Sequence, residues 1–313
     1  MNRELWLAPL RGVTIRAFRE AFVEPIREAG FCGAFAPFIP ANPGIRVNDR
    51  MLADLLPFPA SPHSSSSILH SSFSLVPQVI SKDPSAMREL LKGFKARGFD
   101  RADLNAGCPF PMIRRRGRGS GLMRAPDVLE RLLEAGCGEM GPGKFSLKIR
   151  LGLERPDELR ALMPIINRYP LAVLTVHART AKQMYEGACD QARLDEIEQV
   201  STNPVMRNGD IPVFNLQSSV PNLQTSNFNS QNSSVRRLMI GRSFIRSLGT
   251  REDASELVTR YIEISRAELS GDNPVLGRMK ELFSYWNEAP RWRRLWPVIK
   301  ICRTVDELLL AIR

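Results

Sequence analysis

The chain has 313 residues, 43% of them apolar and 25% charged, which supplies a full globular core and excludes a disordered chain. Lysine and arginine outnumber aspartate and glutamate 44 to 33, for a net charge of +11. An excess of that size points to a polyanionic partner rather than to a small neutral metabolite. No run reaches the roughly 18 apolar residues that a membrane span needs, and the short apolar start Leu5–Leu10 lacks a signal-peptide cleavage pattern. Five cysteines without a Cys-x-x-Cys pair suit neither a disulfide framework nor a zinc cluster. The expectation is a soluble, cytoplasmic, monomeric protein with no metal and no membrane partner.

In chain order, strand-like runs fall at Leu5–Leu10, Cys32–Phe38, Ser74–Ile80, Arg101–Gly107, Phe145–Leu151, Ala172–Arg179, Pro204–Asp210 and Arg237–Arg242. Helical signals occupy several of the gaps. Asp83-Pro84 offers an N-cap with proline at the first helical position, and Met87, Leu90, Leu91 and Phe94 follow at helical spacing. A helix from Asp127 is expected to stop in the glycine cluster Gly136–Gly143. Eight strands alternating with helices predict an α/β fold, a (β/α)8 TIM barrel over residues 1–249. Beyond it, residues 250–313 read as a helical domain. Leu276, Met279, Leu282, Phe283 and Trp286 share one helical face, and Thr304 to Glu307 form a capping box. Residues 59–74, rich in serine, and 212–234, rich in Asn, Gln and Ser, are expected to be polar loops.

A barrel carries its chemistry at the C-terminal ends of its strands. Strand four ends Asp103-Leu-Asn105-Ala-Gly-Cys108-Pro109. The thiol there suits a nucleophile, a proton donor or a small buried packing group. Strand five carries Lys148 and Arg150 on one face of an otherwise apolar run, and a lysine inside a barrel needs an anionic partner. Strand six ends His177-Ala-Arg179. Strands seven and eight end Asn208-Gly209-Asp210 and Gly241-Arg242, where glycine backbone and a guanidinium would suit a phosphate.

These elements, with APLRGVT (Ala8–Thr14), Gln78, LKIRLG (Leu147–Gly152), TVHARTAKQMYEG (Thr175–Gly187), RNGDI (Arg207–Ile211) and MIGR (Met239–Arg242), resemble the tRNA-dihydrouridine synthase family over nearly the whole chain. The tail LGRMKELFSYW (Leu276–Trp286) is similar to that family's helical domain. The resemblance implies an FMN-containing barrel that reduces uridines of tRNA, with NADPH as electron source. It implies Cys108 as proton donor and Asn105 lining the uracil site, with Arg179 on the substrate side. It also implies Pro9, Leu10 and Arg11 beside the flavin ring, Gln78 and Lys148 at its polar edge, and His177 in contact with it. Asn208, Gly209, Asp210, Gly241 and Arg242 would hold its phosphate. Two rivals are an FMN barrel acting on a free pyrimidine and an RNA-binding relative without catalysis. The +11 charge speaks against the first, and the joint presence of Cys108, Lys148 and His177 against the second. Two basic clusters are candidate RNA surfaces. One is Arg114, Arg115, Arg116 and Arg118. The other is Arg291, Arg293, Arg294, Lys300 and Arg303, with Trp292 and Trp296 interleaved.

Overall fold

Strand and helix alternate along the chain as the apolar periodicity predicts. The computed structural model describes residues 2–56, 73–213 and 235–312. The chain opens with β1 (Asn2–Leu7), α1 (Arg16–Ala21), α2 (Val23–Glu28), β2 (Phe31–Phe35) and β3 (Ile39–Pro40). It continues through β4 (Ser74–Val76), β5 (Gln78–Ile80), α3 (Pro84–Lys95), β6 (Ala102–Ala106), α4 (Pro111–Arg114) and α5 (Pro126–Met140). Next come β7 (Phe145–Gly152), α6 (Glu158–Ile166), β8 (Leu174–Thr180), α7 (Gln191–Val200), β9 (Val205–Asn208), β10 (Val235–Ile240) and α8 (Arg242–Leu248). The tail is α9 (Ala254–Glu268), α10 (Asp272–Trp286), α11 (Pro290–Ile301) and α12 (Val305–Ile312). The two predicted polar loops fall outside the described residues, save their outermost few.

Every strand pairing is parallel, in the order β3-β5-β6-β7-β8-β9-β10-β1-β2-β4. β4 and β5 are one passage of chain divided at Pro77. Proline has no N–H for the ladder, but its carbonyl accepts from the N–H of Asp103 at 3.0 Å. Because β4 pairs with β2 and β5 with β6, this passage closes the sheet into a barrel of the eight predicted strands. The first strand begins at Asn2 rather than Leu5, since Asn2 and Arg3 pair in register with Val235 and Arg236.

The local signals act largely as read. Asp83 Oδ1 accepts from the N–H of Ala86 at 2.8 Å, and Met87, Leu90, Leu91 and Phe94 are buried. α5 stops inside the expected glycine cluster, at Met140 with Gly141 (φ +95°) as its C-cap. Within α5, Gly136 is a packing glycine, since the Phe145 ring passes 2.1 Å from where a Cβ would stand and the helix can lie close on β7. Inside the barrel, Trp6, Ala8, Phe35, Val76, Val173, Met206 and Met239 form an apolar layer. A separate core joins barrel to tail. Phe18 and Phe22 of the first helices and Phe244 of α8 share it with Tyr261, Phe283, Trp286 and Trp292. Trp286 Nε1 donates to the Ile245 carbonyl and Trp292 Nε1 to that of Gly249, each at 2.7 Å. This core spans the expected boundary between residues 249 and 250. The Thr304–Glu307 box forms, with the Glu307 N–H on Thr304 Oγ1 (3.2 Å) and the Thr304 N–H on Glu307 Oε2 (3.4 Å).

Candidate active site

The C-terminal strand ends surround a cavity of about 440 Å³. Pro9, Leu10, Arg11, Asn105, Cys108, Lys148, His177, Asn208, Gly209, Asp210, Gly241 and Arg242 all line it, drawn from separate stretches of chain.

Cys108 sits in the turn that follows β6. Asn105 Oδ1 accepts the N–H of Gly107 at 3.2 Å and of Cys108 at 2.9 Å, and the Cys108 carbonyl accepts from Ser120 Oγ at 2.9 Å. Gly119 takes φ +56°, and a Cβ there would stand 2.8 Å from that of Cys108, so the GSG run is shaped to pack under the thiol. Burial pushes the thiol's pKa above its ordinary value, against the pull of a backbone N–H and nearby cations.

Lys148 and Arg150 both face the cavity, as strand alternation predicts. Lys148 Nζ donates to Asn208 Oδ1 at 2.8 Å, and Asn208 Nδ2 to the Met239 carbonyl at 2.8 Å. Burial, then the neighbouring Arg150, lowers the Lys148 pKa to about 7, while Asp103 draws it up. Asp103 is the buried anion that the lysine calls for; burial raises its own pKa to about 7. Arg150 is spent on backbone, donating to the carbonyls of Gly107, Thr180 and Met184 at 2.7–2.9 Å. His177 is held well below its ordinary pKa by burial and then by Arg150 and other surrounding cations, so its imidazole is neutral at pH 7. Its buried Nδ1 has no partner among the described residues.

At the opposite rim, Gly209 has φ +112°, with the Cys189 sulfur 2.7 Å from where a Cβ would stand, and a Cβ on Gly241 would meet the Ala8 methyl at 3.1 Å. Gly209 demands glycine and Gly241 is tightly packed, and both keep the rim low. Arg242 donates to Asp210 Oδ1 at 3.1 Å, and Asp210 also pairs with Arg179. A carboxylate repels a phosphate, so the part Asp210 plays here is to aim Arg242.

Two expected residues do not line the cavity. Gln78 is fully buried, with both ends of its amide taken by Asp103 and Asn105. Arg179 is spent on the carbonyls of Glu186 and Gly187, the Cys189 sulfur and Asp210, so it braces the loop after β8 instead of facing the cavity. Sequence reading missed Tyr185, whose ring lies under the guanidiniums of Arg150 (5.3 Å) and Arg242 (4.8 Å). It also missed Arg246 of α8 and Glu281 and Tyr285 of α10, which carry the tail into the cavity wall. The spacing of Glu281 and Tyr285, four apart on the helix, was the one available signal.

The basic clusters divide as well. Trp292 is a core residue, and Arg291 above its ring is tied to Ser255 Oγ (2.6 Å) and the Ile312 carbonyl (3.2 Å). Near the mouth, Arg114 reaches Glu154 at 4.0 Å and Arg118 bonds Asn42, whereas Arg115 and Arg116 are exposed beside exposed Phe110 and Met112.

The fold and mouth together define an enzyme of the (β/α)8 barrel class. The family model for dihydrouridine synthase matches residues 6–247. The chain is 26% identical to the tRNA-dihydrouridine(16) synthase of Vibrio vulnificus over 319 residues, covering 97% of this chain and 94% of that protein. It is 28% identical to tRNA-dihydrouridine synthase B of Shewanella oneidensis over 213 residues, covering 67% and 61%. A variant of NCR from Zymomonas mobilis shares the fold at a TM-score of 0.51, with 14% identity over 78% of this chain and 83% of that one. The chain therefore belongs to the dihydrouridine synthase family, flavin-dependent oxidoreductases that act on uridine in tRNA. Among the described residues no helix is long and apolar enough to cross a membrane, and no group of three or more His, Cys, Asp or Glu is placed to hold a metal.

Proposed function

We propose that the chain binds FMN in this cavity and, with NADPH as reductant, reduces the 5,6-double bond of a tRNA uridine, Cys108 giving the proton to C5. The observation that carries this reading is the meeting of a thiol, a half-buried lysine and a histidine with an unpartnered buried nitrogen on one cavity. When bound, the reduced flavin supplies the hydride that goes to C6. Lys148, its pKa lowered to about 7, would be drawn into its charged form by an electron-rich ring edge and stabilise it, and His177 Nδ1 is a buried polar atom that only a ligand or water can satisfy. Gly209 and Gly241 let a phosphate approach backbone N–H groups, and Arg242 neutralises it. Asn105 has one Nδ2 hydrogen left for the uracil after its bond to Gln78. The raised pKa keeps the Cys108 thiol protonated at neutral pH, as an acid must be. Purified protein is expected to be yellow with FMN, to bleach with NADPH in the absence of oxygen, and to form dihydrouridine in unmodified tRNA, read by nucleoside mass spectrometry. Protein that stays colourless after FMN reconstitution overturns the reading.

A uridine stacked in folded RNA must be drawn out to reach this cavity. Arg115 and Arg116, exposed a little beyond the cavity-lining Phe110, would hold the flanking phosphates. Arg115→Glu with Arg116→Glu is expected to weaken tRNA binding and to flatten its log–log salt dependence by about 0.7–0.9 per lost contact. NADPH oxidation by the flavin should be unchanged. Titrations at several salt concentrations check this, and an unaltered slope removes the pair from the RNA surface.

A further inference from the structure

Beneath the cavity, three buried side chains run in series to the turn that holds Cys108. Asp103 and Asn105 lie two apart on one face of β6, and Gln78 stands opposite Asp103 in the register of β5. Gln78 Nε2 donates to Asp103 Oδ2 at 2.7 Å, and Asn105 Nδ2 donates to Gln78 Oε1 at 2.7 Å. Asn105 Oδ1 then accepts the N–H groups of Cys108 (2.9 Å) and Gly107 (3.2 Å). Asp103 is fully buried, does not line the cavity, and has no partner for Oδ1 among the described residues. The proposed reaction makes no use of it.

The geometry points to Asp103 as a positioning residue, whose carboxylate sets the direction of the Gln78 and Asn105 amides and through them seats the Cys108 thiol. A carboxylate only accepts, so the NH2 of Gln78 must turn to it. The Gln78 oxygen then faces Asn105, which must offer its own NH2. Its oxygen is thereby left for the two backbone N–H groups. Were the series reversed, Asn105 Nδ2 would meet the N–H of Cys108, donor against donor, and the turn would lose its anchor. A neutral amide at position 103 offers both a donor and an acceptor and no longer enforces the direction from its end, so the series is then set only by the N–H groups of Cys108 and Gly107.

The inference rests on Cys108 being the proton donor, and its test separates the two. Asp103→Asn in the holoenzyme is expected to keep its flavin, and, since Asp103 also draws the Lys148 pKa up, its reduction by NADPH is timed separately from the tRNA half-reaction. It should lower kcat for tRNA about 10- to 100-fold, the usual cost of a misplaced reacting group, with KM little changed. Alkylation of Cys108 by iodoacetamide, mapped by peptide mass spectrometry against Cys137 as internal reference, should rise several-fold. Adding Gln78→Glu to Asp103→Asn moves the acceptor-only group one place along. Asn at 103 can then donate to the new carboxylate, which again receives Asn105 Nδ2. This double variant should return the alkylation rate toward wild type and recover part of kcat, which mere repair of packing would not do. Wild-type kcat and alkylation in Asp103→Asn, or a double variant no better than the single, overturns the proposal. Full dihydrouridine formation by Cys108→Ala would instead overturn the proton-donor reading, and the alkylation rates would still decide whether Asp103 seats the thiol.

Discussion

Cys108→Ala is expected to bind flavin and accept hydride from NADPH at wild-type rates, yet to form dihydrouridine about 10²–10⁴-fold more slowly, the typical cost of losing one positioned acid. The side chain contributes little to the fold beyond its own volume, since its turn is held by backbone bonds to Asn105 and Ser120 that alanine retains. The pH dependence has a definite sign. The thiol acts in its protonated form, and burial raises its pKa. The thiol-dependent rate is therefore complete at neutral pH and falls as pH rises through that raised value. The residual rate of the alanine variant should lack this alkaline limb. Single-turnover mixing of pre-reduced enzyme with tRNA measures both, and an undiminished rate would make the thiol a packing group.

Trp292→Ala should cost about 3–5 kcal/mol of stability, as large-to-small changes at fully buried aromatic sites do. Its ring meets those of Phe283 and Trp286 at 5.1 Å, and its Nε1 satisfies the Gly249 carbonyl at the last turn of the barrel. Removing it opens the core shared by α8, α10 and α11. The loss should appear in the entire unfolding transition, with flavin release and tail unfolding at one denaturant midpoint. A change below about 1 kcal/mol, or a tail that melts separately while flavin stays bound, would show that the contact is dispensable.

Much of this molecule was legible because local chemistry and global fold agree. Asp83-Pro84 and Thr304–Glu307 are caps whose side chains satisfy specific N–H groups, so they mark helix starts wherever they occur. Polar residues at the ends of buried strands have nowhere to point but the mouth, which is why Lys148, His177, Asn208 and Cys108 were found. Distance along the chain defeats the same logic. Arg246, Glu281 and Tyr285 join the cavity only because α8 and α10 pack across its rim. Gln78, Asp103 and Arg179 also sit at or near strand ends, but hydrogen-bond saturation decides which polar groups are left for a ligand, and a linear pattern does not show saturation. The Arg291–Arg303 run is ambiguous for a related reason. Alternating charge and tryptophan looks alike whether the ring faces RNA or, as with Trp292, the core. The cluster Gly136–Gly143 does stop its helix, but only at Gly141; that Gly136 is there to make space for the Phe145 ring is not visible in a linear pattern.

The apolar layer of Trp6, Phe35, Val76, Val173, Met206 and Met239 fills the barrel below the cavity. It gives the site a floor, so in the proposed reaction reductant and RNA would share the strand-end mouth as their doorway. A nicotinamide and a uracil that must each reach the same ring through one doorway exclude each other, and the order of events becomes alternation: the reductant enters, delivers its electrons and leaves before the nucleotide takes its place. The consequence is kinetic. Initial rates plotted in double-reciprocal form against one substrate should give parallel lines as the other is varied, and excess NADPH should compete with tRNA for the reduced enzyme.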